Sequence, residues 1–151
     1  MSEDKLLELI DEYSEQMEEA LDGDIEDEDA LAECEKIYIK YIKAYEQLLS
    51  IDFMKYADAV LDQFYELAHF YSDFMNDIEK AEKASYRRID IYKKLAENDK
   101  RYEGEIMDVY EDLAEMYENA DMDEKAEEMY AKARKIYEDD MESMKIFSNK
   151  K

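Results

Sequence analysis

The chain has 151 residues, with no proline, two glycines, one cysteine, no tryptophan and fourteen tyrosines. So few helix breakers predict an all-helical fold with short connections. Its 44 acidic and 20 basic residues give a formal charge of −24. That charge disfavours direct binding to nucleic acid or to an anionic membrane, and it favours a basic partner.

The length suits one domain over 1–151 with a real core. Residues 1 to 20 are acidic and amphipathic, without the basic-then-apolar order of a secretory signal. No apolar run reaches the length of a membrane span. A soluble, cytoplasmic protein is the expectation. Cys34 lies on an apolar stripe and reads as a small buried residue, not as part of a disulfide framework.

Ser2 caps a first helix running to about Leu21, with Leu6, Ile10, Tyr13, Met17 and Ala20/Leu21 inward. The loop Asp22 to Asp29 follows. It places carboxylates at the first, third, fifth and seventh places of a calcium loop counted from Asp22, with Glu33 at the twelfth. Asp27 stands where the sharp turn of such a loop needs glycine, so a solvated acidic linker is the better reading.

The second helix covers about Ala30 to Leu49, with Cys34, Ile37/Tyr38, Tyr41/Ile42, Tyr45 and Leu48/Leu49 inward. The third follows an Asp52 cap and covers Phe53 to Met75, with Phe53, Ala57, Val60/Leu61, Phe64, Leu67/Ala68 and Tyr71 inward. The fourth covers Ile78 to Glu97, with Ala81, Ala84/Ser85, Ile91/Tyr92 and Leu95 inward. The fifth begins near Lys100 and presents Tyr102, Ile106, Val109/Tyr110, Leu113/Ala114 and Tyr117. The sixth starts after Asp121 or Asp123 and continues past Tyr137, with Ala126, Tyr130, Ala133 and Tyr137 on one face. Apolar residues at 141, 144, 146 and 147 extend it as a cap on the last hairpin or as a self-association surface.

Self-similarity links these helices. Phe64, Leu67, Ala68 and Tyr71 match Tyr110, Leu113, Ala114 and Tyr117 at an offset of 46. Glu35 to Asp52 matches Glu82 to Asp99 at an offset of 47. Three helical hairpins result, about 3–49, 53–97 and 100–140, the first with an uncertain register.

The last hairpin resembles the tetratricopeptide repeat (TPR). Tyr110, Leu113, Ala114, Tyr117, Ala126, Tyr130 and Ala133 fall on the first seven signature positions, and Glu138 replaces the closing proline. The period near 46 exceeds the usual unit of about 34, so the chain is more similar to long variants such as those of kinesin light chains and bacterial repeat proteins. In the middle hairpin Ser85 and Arg88 replace the expected aromatic and small residue. The resemblance implies a right-handed superhelical stack, a TPR-like α-solenoid. It also implies a concave groove lined by the first helix of each hairpin. Carried over, the groove positions are Asp62, Tyr65, Glu66, His69, Ser72 and Asp73, then Asp108, Glu111, Asp112, Glu115, Glu118 and Asn119.

Such a groove is acidic, with Tyr65 and His69 as its main other features. Glu66 and Asp112 stand where TPR proteins that hold acidic tails need asparagine, so a Lys/Arg-rich peptide or protein segment is the expected ligand. Glu66, His69 and Asp73 share a helical face, but a lone histidine falls short of a zinc set. No metal, cofactor or catalytic residue is expected. His69 is the only histidine available to activate a nucleophile, and no glycine-rich phosphate loop exists. Two other classes stay open: an acidic DNA mimic that fills the basic cleft of a nucleic-acid-binding protein, and a homo-oligomeric scaffold or homodimer joined through Met141, Met144 and Phe147.

Overall fold

The computed structural model describes residues 1–23 and 27–149, with side chains through Lys145. Among the described residues there are six α-helices and no strand: α1 Glu3–Leu21, α2 Glu28–Ile51, α3 Phe53–His69, α4 Ile78–Ala96, α5 Tyr102–Asn119 and α6 Asp123–Asn149. The all-α class and the count of six helices agree with the sequence. The acidic loop weighed for calcium includes residues 24–26, which lie outside the described set. None of the described helices is long and apolar enough to cross a membrane.

The helix starts follow from their caps. Ser2 accepts from the Lys5 N–H, Asp27 from the Asp29 N–H and Asp52 from the Lys55 N–H. Each side-chain oxygen satisfies a backbone donor that the first helical turn leaves open. The stops use polar residues instead of glycine. Asp121 takes a φ of 58° after α5. The Met122 N–H then reaches the Tyr117 carbonyl, and the Asp121 N–H reaches that of Glu118. This is the paired closure of a Schellman motif, with aspartate standing where glycine is usual.

The chain divides into two compact units, Met1–Asp77 and Ile78–Lys151. In the first, α2 packs between α1 and α3. A Lys55–Glu3 bridge of 3.2 Å also ties α3 to α1. In the second, α5 packs between α4 and α6.

One junction occurs in both units. In the first, the Tyr71 hydroxyl, at the end of the third helical segment, donates to Glu35 on α2. In the second, the Tyr117 hydroxyl on α5 donates to Glu82 on α4. These are the pairs related by offsets of 46 and 47. The apolar partners repeat as well. Cys34 and Ala81, Leu48 and Leu95, Ala68 and Ala114 are buried at equivalent places. The repeat read from the sequence is thus a repeat of packing and of a cross-helix hydrogen bond.

The units differ inside that shared frame. In the first, Tyr38 lies against Phe70, with ring centroids 5.0 Å apart. Its counterpart in the second is Ser85, which is 0% exposed and has an Oγ without a hydrogen-bond partner. A buried hydroxyl that makes no bond loses hydration without compensation. Ser85→Ala is therefore expected to stabilise the protein by about 1–2 kcal/mol, with a small share from helix propensity. Urea titration should show a higher midpoint at an unchanged slope. A lower midpoint would mean that the hydroxyl is bonded.

Several inward assignments need correction. α3 ends at His69 and continues as a π-helical turn, Phe70–Phe74, in which the Met75 N–H bonds to the Phe70 carbonyl at 3.3 Å. That turn turns both Phe70 and Tyr71 inward, where the regular pattern expects only Tyr71. On α6, Met129 is buried beside Ala126 and Ala133, whereas Tyr137 is 55% exposed. On α1, Leu21 is exposed, and on α4, Ile89 joins the core.

Candidate functional site

In the first unit, the exposed flank of α3 and its π turn carries Asp62, Tyr65, Glu66 and Asp73, with His69 half-buried among them. Steps of three and four residues align these side chains along one ridge. The Tyr65 ring packs on the His69 ring at 4.5 Å. His69 Nδ1 lies 3.5 Å from an Asp73 carboxylate oxygen. Glu66 acts across the α2–α3 junction: with burial as the larger cause, its charge helps push the Tyr38 phenol up to about 12. Among the described residues no group of three or more His, Cys, Asp or Glu side chains comes together as a metal site.

In the second unit, α5 carries Asp108, Glu111, Glu115, Glu118 and Asn119 on its exposed side. Asp112 is different. It is half-buried and faces Arg88 of α4 at 4.0 Å, and the Arg88 guanidinium also lies 6.0 Å from the Tyr92 ring centre. Asp112 and Arg88 occupy the places that Glu66 and Tyr41 hold in the first unit. The substitution at Arg88 therefore gives a packed acid an opposite charge, and Asp112 belongs to the α4–α5 junction as much as to an open surface.

On the opposite edge of the α5 ridge, Glu111 lines a hollow of about 370 Å³ between α5 and α6 with Met107, Tyr130, Ala133 and Tyr137. The Tyr130 hydroxyl donates to Glu118. That bond, burial and the charges of Glu115 and Glu111 push its phenol up to about 12. Three carboxylates one helical turn apart thus gather beside one tyrosine. Among the described residues, Glu111 and Glu115 make no ion pair.

A larger cleft of about 630 Å³ lies between α4, α5 and α6. Lys93, Lys132 and Lys135 balance Glu97, Glu103 and Asp139 around a floor that includes Ile106, Tyr110 and Ile136. At its inner end Lys132 sits 5.6 and 5.7 Å from the Tyr86 and Tyr110 ring centres, and it donates to the Tyr86 hydroxyl at 3.3 Å. The cleft is charge-balanced and its central cation is already held by two rings. The sequence marked Ile106 and Tyr110 as inward residues but not the cleft they line, because the cleft depends on how three helices are spaced.

No protein-family model, curated protein or solved structure matches the chain.

Proposed function

We propose that the chain is a TPR-like repeat protein whose hairpins stack as a superhelix, and that it is a binding module and not an enzyme. Its ligand is a Lys/Arg-rich peptide or protein segment, held on the acidic flank of α5, with the flank of α3 as the equivalent surface of the first unit. The observation that carries this reading is the row Glu111, Glu115 and Glu118 on α5, exposed and set beside Tyr130. A row of carboxylates one turn apart complements basic side chains on an extended or helical ligand, and a neighbouring aromatic ring offers a rigid contact surface. The ridge of Asp62, Tyr65, Glu66, His69 and Asp73 repeats the combination of acids and an aromatic in the first unit.

The test is binding of a fluorescent Lys/Arg-rich peptide by anisotropy at physiological salt. Glu111→Lys with Glu115→Lys should weaken it about tenfold, since each lost pair contributes about 0.2–1 kcal/mol and reversal adds repulsion. Circular dichroism should be unchanged, because both side chains are exposed. Equal affinity of variant and wild type would remove this surface from consideration.

One observation favours a second reading. The first unit holds 23 acidic and five basic residues, a balance of −18, whereas the second holds 21 and fifteen, a balance of −6. Between residues 3 and 33 fifteen acids stand against Lys5 alone. A charge so concentrated on α1 and the start of α2 is what a DNA mimic requires. Displacement of DNA from a basic-cleft protein by the wild type and the double variant alike would support the mimic.

A further inference from the structure

The hollow that Glu111 lines continues into a second one of about 360 Å³, which shares Met107 and Tyr137 with it. The two form one trough along the outer junction of α5 and α6. Its floor is apolar: Met107, Tyr130, Ala133, Ile136 and Tyr137. Tyr137 shares a stripe with Ala126 and Ala133, which are buried, yet Tyr137 itself is uncovered.

Gly104 lies in the wall of this trough. It is in the first turn of α5, and glycine is a poor helix former. Its φ is not positive, and a Cβ built there meets nothing within 4 Å. Nothing inside the chain needs glycine at this position. The room it leaves opens beside Met107 and Tyr137.

We propose that this trough receives an amphipathic helix of a partner protein, its apolar face on Met107 and Tyr137, its closest approach at Gly104, and its basic flank toward Glu111 and Glu127. The trough follows the chain from Lys100 to Glu111, about 17 Å at 1.5 Å per residue, or three helical turns. A helix brings its own backbone hydrogen bonds and presents anchors at i, i+4 and i+7 to such a groove. A small residue in the wall lets two helices approach closely.

Charge selects the kind of partner. Glu111 and Glu127 border one end of the trough, with Glu115 and Glu118 next to them. Lys100 and Arg101 border the other, where Glu103 and Asp140 offset them and Arg101 is held by Asp99 at 2.7 Å. Arg134 lies in the acidic end and leaves the acids in excess there. A second copy of the chain is disfavoured. It would bring another −24, and a two-fold pairing along α6 would set the acids between Glu138 and Glu142 against themselves.

The inference rests on the reading of the chain as a binding module and shares Glu111 with it, but its test turns on Gly104 and Met107, which that reading does not use, so the two fail separately. The probe is a synthetic amphipathic helix of about four turns, with leucines on one face and lysines on the flanks. Its control is a scrambled peptide of the same composition. Methyl-labelled methionines report the site: Met107 should shift, and Met17 and Met54 of the first unit should not. Gly104→Leu, which is neutral and favours helix, should weaken the helical probe about tenfold by filling the approach. It should spare the Lys/Arg-rich peptide used above. Gly104→Ala should raise the thermal midpoint by a few degrees while weakening the probe. Equal shifts from the scrambled peptide, unchanged affinity in Gly104→Leu, or mass measurements showing a dimer that Gly104→Leu dissolves would each overturn the proposal. Loss of the Lys/Arg-rich peptide in Glu111→Lys/Glu115→Lys, with no binding of the helical probe to wild type, would sink the trough alone.

Discussion

Tyr117→Ala is expected to lower the stability of the second unit by about 3–5 kcal/mol, the range for deleting a buried aromatic ring. Tyr117 is 1% exposed and is the largest of the fully buried side chains. It lies on the core face of α5 with Leu113 and Ala114, and its hydroxyl reaches Glu82 on α4. The substitution therefore opens a cavity and also leaves a half-buried carboxylate without its donor. Against a typical total of about 5–15 kcal/mol for a domain, that loss is a large share of the margin. Tyr117→Phe separates the two terms. It keeps the ring and removes only a hydrogen bond to a charged acceptor, for about 1.5–3 kcal/mol. Tyr71→Phe removes the matching bond to Glu35 in the first unit. If the two junctions are one motif used twice, the two phenylalanine costs should be alike, and the double variant should cost their sum to within about 0.5 kcal/mol, as for independent sites. Denaturant titrations of these variants, followed by circular dichroism, decide it. A costless Tyr117→Phe would show that the Glu82 bond is not formed.

These two tyrosines show how much the sequence disclosed. Their equivalence was legible, because the same order of apolar and aromatic residues recurs at nearly the same offset. The starts of the first and third helices were legible too, since Ser2 and Asp52 stand where capping oxygens are needed. The π turn was not. Slipping one hydrogen bond brings an extra residue inward without any proline or glycine to mark it. Tyr137 was misplaced for another reason. Periodicity tells which residues share a face, but not whether another element covers that face. α6 carries its stripe on to Met141 and Met144, both exposed, and the side chain of Phe147 lies outside the described residues.

The candidate site was legible only in part. The sequence placed Asp108, Glu111, Asp112 and Glu115 on one ridge, and exposure agrees for all but Asp112. The partner of Asp112, Arg88, is 24 residues earlier in the chain, and only the packing of α4 on α5 brings the two together. The trough beside Glu111 depends likewise on α6 lying antiparallel to α5. Gly104 could be noticed in the sequence, but its empty surroundings could not.

Raising the pH should unfold the protein cooperatively between about pH 10 and pH 12, and the phenols supply the reason. Burial pushes up the phenols of Tyr38, Tyr45, Tyr71, Tyr110 and Tyr117, and for Tyr38 the value reaches about 12. An unfolded tyrosine loses its proton near pH 10. In the window between the two values the unfolded chain therefore holds fewer protons than the folded one. Stability is fully present below pH 10 and falls as pH rises toward 12. The two-unit difference at Tyr38 alone is worth at most about 2.7 kcal/mol, and less to the extent that water screens a hydroxyl near the surface. Lysines lose charge over the same range and make the net charge more negative, but exposed pairs are screened and contribute less. Tyr38→Phe separates these effects, since it removes one phenol and no surface charge. Its stability should fall less steeply above pH 10 than that of the wild type. Tyrosinate absorbance and helical ellipticity should change together in the wild type. Full ionisation of all fourteen tyrosines with the helices intact would show that the phenols are not held by the fold.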